Sequence, residues 1–230
     1  EEPNMEEFFT QVGQVRILLD KLSRHVEDVQ KRHMVILSNP NQEEKSKAEL
    51  DKLDQEARRT SDLIRQQLKL MQTQVPAEGS VVSRIHRNQL SHMTLCFTDI
   101  MRRHHAAQTA FRDKCKAQIR RQLHVVNKET TDEELEQMLD RGCLAVFVSH
   151  VRTDTNWSFS TEALSRIQAR QQDLIRLEAS ITHLQQLFSD IAALLDSQGE
   201  LINNIERNVT SAAEFIGQSR AETQKAVRYK

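Results

Sequence analysis

Three carboxylates, those of Glu133, Glu134 and Glu136, stand close together in the chain and are the first candidates for chemistry. Neighbouring carboxylates can act as general acid and base, but they need a pocket that holds a substrate between them. Here they follow Thr130-Thr131-Asp132, and acidic residues in the first turn of a helix stabilise its N-terminus. We therefore interpret them as capping and solvated residues of a helix and predict that the protein is not an enzyme.

A second group, His104, His105, Cys115 and His124, offers the nitrogen and sulfur ligands that zinc prefers. Adjacent helical residues point in different directions, so His104 and His105 cannot both face one metal ion. Neither HExxH nor CxxC spacing occurs, and the sequence contains no glycine-rich phosphate loop. The sequence predicts neither a metal site nor a cofactor.

The elements that position these side chains are long helices. Only five Gly and three Pro occur in 230 residues, where average usage would be roughly 12 per cent for the two together. Such a shortage of turn-forming residues argues against a sandwich, a barrel or a repeated βαβ unit. Hydrophobic residues make up 38% of the chain and aromatic residues only 4%, too few for one large globular core. We predict an all-α fold.

Three helical patterns fill the first half of the chain. Apolar residues recur at steps of three and four over Met5 to Leu37, Glu43 to Thr73 and Val81 to Val126. The breaks at Pro40 and Pro76 separate them. We predict that these helices pack as an antiparallel, up-down-up three-helix bundle. The apolar row of the first helix is Val12, Val15, Leu19, Leu22, Val26, Val29 and Ile36, with His33 in the same row.

A linker follows, in which the acidic start described above leads into a short helix from Leu135 to Leu139 that stops at Gly142. The apolar stretch Cys143 to Val148 has no second strand to pair with, so we place it as linker packed on the bundle. The three cysteines are an odd number without CxxC spacing, which predicts free thiols.

Charge is distributed unevenly although the net charge is only −1. Residues 84–121 hold nine Lys or Arg and two acids, whereas residues 160–222 hold nine acids and five bases. Opposite charges of one chain attract each other, so we prefer intramolecular docking of these segments. The basic stretch lacks the interleaved aromatic residues of a nucleic-acid surface, and we predict no nucleic-acid partner.

From Leu174 onward one row of residues repeats in steps that alternate strictly between three and four. This spacing is typical of a coiled coil, and so narrow an apolar stripe needs other helices to bury it. Gln198 lies in the middle of the row, where it either selects register and partners or marks an imperfect heptad. The row is Leu174, Leu177, Ile181, Leu184, Phe188, Ile191, Leu195, Gln198, Ile202, Ile205, Val209, Ala212, Ile216, Ser219, Thr223 and Ala226.

The segment from Leu195 to Val209 resembles the middle of the SNARE motif of the syntaxin family, with Gln198 at its central ionic layer. Glu6-Glu7-Phe8-Phe9 resembles the start of the regulatory Habc domain, Lys114 to Leu123 its third helix, and Asp132 to Leu139 the hinge linker. The resemblance covers nearly the whole chain. It implies an Habc domain over residues 4–127, a linker over 128–165 and a SNARE helix over 166–228, which can fold back to make a four-helix bundle.

The resemblance also implies a function and partners. The 16 residues of the row would be layers that zip with two helices of a SNAP-type Qb/Qc-SNARE and one of a synaptobrevin-type R-SNARE, driving vesicle docking and fusion in exocytosis. An SM (Sec/Munc) protein would clamp a closed, autoinhibited form whose hinge depends on Leu135 and Glu136. The expected place is the cytoplasmic face of the plasma membrane. A membrane anchor is expected beyond Lys230 and a short SM-binding peptide before Glu1.

Periodicity alone leaves one rival, a structural rod of the tropomyosin or spectrin kind. A rod predicts seams of comparable quality on all helices and no central Gln, whereas here one seam is far longer and cleaner than the others. A rod would self-associate into stable dimers. A syntaxin fragment would instead form an SDS-resistant ternary complex with cognate SNARE helices.

Overall fold

A computed structural model of the chain describes residues 5–38, 43–76, 80–125, 131, 133, 135 and 161–196. Four helices make up almost all of this part, and no strand occurs in it. They are α1 (Met5–Ser38), α2 (Glu43–Thr73), α3 (Val81–Val125) and α4 (Thr161–Asp196). The predicted bounds of the first three helices agree with these to within a residue, and the all-α fold is confirmed.

The break between α2 and α3 is held by local hydrogen bonds. The N–H of Val75 donates to the carbonyl of Gln72 at 3.4 Å, a tight closing turn that leads to Pro76. Ser80 then caps α3, because its hydroxyl accepts from the N–H of Ser83 at 3.0 Å. The Ser83 hydroxyl in turn donates to the carbonyl of Pro76 at 3.2 Å. This connection therefore needs only a few residues.

The described residues belong to two compact units, and every helix contributes to both. Of the described residues, those up to Lys21, those within Thr60–Asp99 and those from Leu187 to Asp196 form the first unit, and those within Leu22–Arg59 and Ile100–Gln186 form the second. In the second unit, His25 and Arg32 of α1 contact Glu56 and Glu49 of α2 in opposite order along the chain, so these two helices are antiparallel. Contacts of α1 with α3, Ser23 with Arg103 and Met34 with Lys114, follow the same order, so α1 and α3 are parallel. Contacts of α2 with α4, Lys47 with Asp173 and Asp51 with Arg176, likewise show these two helices to be parallel. The predicted up-down-up arrangement of the first three helices is thereby present.

The first unit buries an apolar core supplied by all four helices. The ring of Phe8 stacks on His86 with centroids 3.6 Å apart, and Arg16 of α1 donates to Gln89 of α3 at 3.0 Å. Fully burying one large apolar side chain stabilises a fold by about 1.5 to 3 kcal/mol. The core residues are Phe8, Val12, Val15 and Leu19 of α1, Ile64, Leu68 and Met71 of α2, Leu90, Met93 and Phe97 of α3, and Leu187, Ile191 and Leu194 of α4.

The second unit has a more polar interior. His33 of α1 is buried in the predicted row and stacks on Phe111 of α3 with ring centroids 4.0 Å apart. Ile36, Phe111, Cys115 and Leu177 form a cluster that joins α1, α3 and α4. Cys96 and Cys115 form no disulfide in the described part of the chain, and Cys143 lies outside it. The whole predicted row of α1 is buried.

Candidate functional site

The candidate site is the face of α4 that packs against α1, α2 and α3 within each unit. The predicted layer residues of α4 fall into two rows, named here by heptad position. The d row, which is buried, consists of Leu177, Leu184 and Ile191. The a row, which is only partly buried, consists of Leu174, Ile181, Phe188 and Leu195. The other predicted layers, from Gln198 to Ala226, lie outside the described residues, and their role stays a prediction.

A buried ion triad joins α2 to α4 in the second unit. The Lys47 ammonium lies 3.4 Å from a carboxylate oxygen of Asp173, and the Arg170 guanidinium lies 3.2 Å from the other oxygen. Arg170 also donates to the carbonyl of Ile36 at 3.3 Å, which ties α4 to the end of α1. All three charged side chains are buried. Because buried charges need partners, moving α4 away from α2 inside this unit would leave Lys47 without its carboxylate.

A second polar contact joins α3 to α4. The Gln108 amide nitrogen donates to the hydroxyl of Ser180 at 3.2 Å and lies 3.0 Å from Nε2 of His104. Since an amide nitrogen can only donate, Nε2 of His104 must accept and His104 is neutral. Gln108 thus links a buried histidine of α3 to a buried hydroxyl of α4.

Burial keeps two histidines of the second unit neutral. The pKa of His33 is lowered from 6.5 to about 3, by removal from water and by nearby His104. The pKa of His104 is lowered to about 4, first by burial and then by the charge that His183 can carry, the permanent charge of Arg58 and the charge that His105 can carry. Neither ring can take up a proton near neutral pH without disturbing the packing around it.

The pKa of one carboxyl in the same interior is raised, whereas the pKa values of the two histidines are lowered. The pKa of Asp54 is raised from 3.8 to about 6, chiefly by burial and secondarily by Asp51, although Arg58 and a hydrogen bond from Gln108 oppose the rise. Its carboxylate lies 4.0 Å from Nε2 of His104. Asp54 therefore takes up a proton in the folded chain at a pH where it would be ionised in the unfolded chain.

We expect acidification from pH 7 to pH 5 to destabilise this interior. Over that range the unfolded chain protonates His33 and His104 while the folded chain does not, so the free energy of unfolding falls as the pH falls. Asp54 offsets part of the loss, because it gains its proton in the folded state first. The net loss should be about 2 kcal/mol. Urea unfolding at the two pH values measures it.

The matched variants for this measurement are His104→Gln and His92→Gln. His104 is buried and His92 is exposed, so only the first variant should reduce the net pH-dependent loss, by about three quarters, because Asp54 already offsets much of what the two histidines contribute. An equal pH dependence in His104→Gln and the unmodified chain would contradict the assignment.

In the first unit α2 again supplies the charged partners of α4. The Arg65 guanidinium lies 2.6 Å from one carboxylate oxygen of Asp190, and the Lys69 ammonium lies 3.1 Å from the other. These hydrogen bonds lower the pKa of Asp190. The side chains are partly exposed, so each pair contributes only about 0.2 to 1 kcal/mol. The sequence had drawn attention to basic residues of α3, whereas these partners of Asp190 lie on α2.

The predicted hinge residue Leu135 is anchored in the second unit. It is 1% exposed and clusters with Ile119 and Leu123 of α3 and Ile167 of α4. Its N–H donates to the carbonyl of Thr131 at 3.0 Å, one helical turn back. Leu135 thus contacts the end of one helix and the beginning of another. Glu136 lies outside the described residues.

The residues that sequence reasoning missed are the polar ones. Lys47, Gln108, Arg170, Asp173 and Ser180 are buried, although nothing in an apolar stripe points to them. Two buried leucines outside the predicted row could have been found from the sequence. Leu187 and Leu194 stand directly before the predicted layers Phe188 and Leu195 and widen the apolar stripe of α4 on that side.

Neither a metal site nor a membrane-spanning helix is found within the described part of the chain. His104, His105, Cys115 and His124 do not assemble there into a group that could hold a metal ion. None of the helices described has an apolar stretch of the length and hydropathy that a bilayer requires. The face of α4 is therefore the feature on which a functional argument rests.

Two family models and a solved structure match this chain. The syntaxin family model matches residues 2–151, and the SNARE domain model matches residues 165–230, which include most of α4. The fold resembles the crystal structure of the Unc18–syntaxin 1 complex from Monosiga brevicollis, with a TM-score of 0.69 and 23% identity over 91% of this chain and 90% of that one. The syntaxin model alone covers more than half of the sequence. The chain belongs to the syntaxin family and carries a SNARE domain.

Proposed function

We propose that this chain is a target-membrane Q-SNARE that drives vesicle docking and membrane fusion in exocytosis. The observation that carries the proposal is the seam of the SNARE domain, whose d row is buried against the chain's own helices. A row that can pack on these helices can also pack on helices from partners. The rod alternative does not account for the match to the syntaxin family.

The mechanism is mechanical rather than catalytic. Burial of successive layers against partner helices releases about 1.5 to 3 kcal/mol for each large apolar side chain that becomes fully buried. The three partner helices would come from a SNAP-type Qb/Qc-SNARE and a synaptobrevin-type R-SNARE, with Gln198 at the central layer. Zippering from Leu174 toward Ala226 draws together the two membranes that carry the partners, at the cytoplasmic face of the plasma membrane.

The folded-back packing of α4 provides autoinhibition. Leu177, Leu184 and Ile191 cannot contact the chain's own helices and partner helices at the same time, so α4 must leave this packing before zippering. The similar solved structure is of a syntaxin 1 in complex with Unc18. We extend this to the present chain and propose an SM-class partner that binds the folded-back form.

The test is assembly with purified SNARE partners. The 230-residue chain, mixed with the cytosolic segments of a SNAP-type and a synaptobrevin-type protein, should form an SDS-resistant complex of three chains. Ile205→Asp should abolish this complex, because a carboxylate in a layer loses its hydration without gaining a partner. Asn204→Asp, which places the same group one residue away and off the predicted row, should assemble normally.

Two results would contradict the proposal. One is a failure of the unmodified chain to form the ternary complex. The other is equal assembly of Ile205→Asp and Asn204→Asp, which would show that the predicted row is not the zippering seam.

A further inference from the structure

A third row of α4 is as deeply buried as the d row. This g row consists of Asp173, Ser180, Leu187 and Leu194, which are between 1% and 5% exposed. Each member directly precedes a residue of the a row, and the a row is only partly buried. Between Asp173 and Leu194, α4 thus packs through its d and g rows, whereas the predicted coiled-coil seam runs through its a and d rows. One heptad earlier the order is reversed, since Ile167 at an a position is buried and Arg166 at a g position is exposed.

Helical geometry gives the size of the difference. Successive residues of an α-helix are about 100° apart, so the midpoint between the d and g rows is turned by about 60° from the midpoint between the a and d rows. The two faces overlap only in the d row. Folding back and coiled-coil formation therefore place different sectors of α4 in the interior.

The polar half of the g row has partners that suit the folded-back packing. Asp173 pairs with Lys47 of α2, and Ser180 accepts a hydrogen bond from Gln108 of α3. Both pairs are buried in the second unit. In a coiled coil, g positions lie at the rim beside water, where an aspartate and a serine are readily hydrated. The same residues are thus compatible with both packings.

The apolar half of the g row is also buried by the folded-back packing. Leu187 and Leu194 are 2% exposed in the first unit. At the rim of a coiled coil such leucines would lose much of this burial, so their contribution depends on the chain's own helices.

We propose that the g row is a contact dedicated to the folded-back form: it holds α4 on the chain's own helices and takes no part in the core of the partner-bound coiled coil. The d row serves both packings, and the a row serves chiefly the partners. The inference deepens the proposed function and rests on it for the identity of the partner helices.

Adjacent leucines offer a matched test. Leu194→Ala and Leu195→Ala remove the same atoms from neighbouring positions, one in the g row and one in the a row. In the isolated chain, amide hydrogen exchange of α4 should accelerate by about tenfold or more in Leu194→Ala and by less than about threefold in Leu195→Ala. In the ternary complex with SNAP-type and synaptobrevin-type segments, Leu195→Ala should lower the melting temperature by several degrees, while Leu194→Ala leaves it unchanged.

The pair Leu187→Ala and Phe188→Ala repeats the comparison, so that a folding defect in one variant does not decide the result. Equal exchange rates within both pairs, or equal losses of complex stability within both pairs, would overturn the inference. The exchange measurement needs no partner. If the unmodified chain formed no ternary complex, the proposed function would fail, while the exchange result would still decide whether the g row holds α4 in place.

Discussion

Asp173→Asn is expected to weaken the packing of α4 in the second unit by about 3 kcal/mol. The substitution keeps the size of the side chain but removes the charge that Lys47 and Arg170 contact at 3.4 and 3.2 Å. A neutral amide cannot stabilise two buried cations as a carboxylate does. Hydrogen exchange of α4 should therefore accelerate by about a hundredfold, and ternary SNARE complexes should assemble faster.

The control is Asp196→Asn, the same change at an exposed position of the same helix. It should leave both measurements unchanged within about twofold. Replacing the whole triad, with Lys47→Met, Arg170→Met and Asp173→Leu, should recover much of the packing, because apolar residues can replace a buried ionic group without loss when no charge is left behind. Equal exchange rates in Asp173→Asn and Asp196→Asn would show that the triad does not hold α4.

Leu135→Ala is expected to have the second large effect. It removes a side chain that is buried among Ile119, Leu123 and Ile167, and such truncations cost about 2 to 5 kcal/mol. The contacts that are lost join the predicted hinge to Ile167, near the beginning of α4. Exchange near Ile167 should accelerate, and SNARE assembly should become faster because α4 is released more often.

Glu133→Ala is the matched control, since Glu133 is exposed two residues away. It should change neither exchange nor assembly. If Leu135→Ala assembled no faster than Glu133→Ala, the hinge assignment would be wrong, although the loss of packing could still be read from the unfolding midpoint.

The helices could be predicted because their signals are local. Pro40 and Pro76 mark the breaks, and the steps of three and four along α1 identify its buried row, including His33. These signals depend on backbone restriction and on the helical repeat, which act within a few residues. The bounds of the first three helices consequently agree with the structure to within a residue.

The polar interior could not be predicted in the same way. Lys47 and Asp173 are far apart in the sequence, and each looks like an ordinary solvated residue of a helix. Only packing brings them within 3.4 Å and removes both from water. His104 is a similar case, because its pKa of about 4 follows from burial and from neighbours on other helices.

By itself, the sequence determined that the chain is helical, where three of its helices begin and end, and that a long seam at coiled-coil spacing follows Leu174. It did not determine which sector of α4 faces the interior. An apolar stripe specifies that a helix must be covered, but the shape and polarity of the receiving groove set the rotation about the helix axis. Here Lys47 pairs with Asp173 and Gln108 donates to Ser180, and these contacts bury the g row of α4 beside its d row. The predicted seam would have buried the a row there.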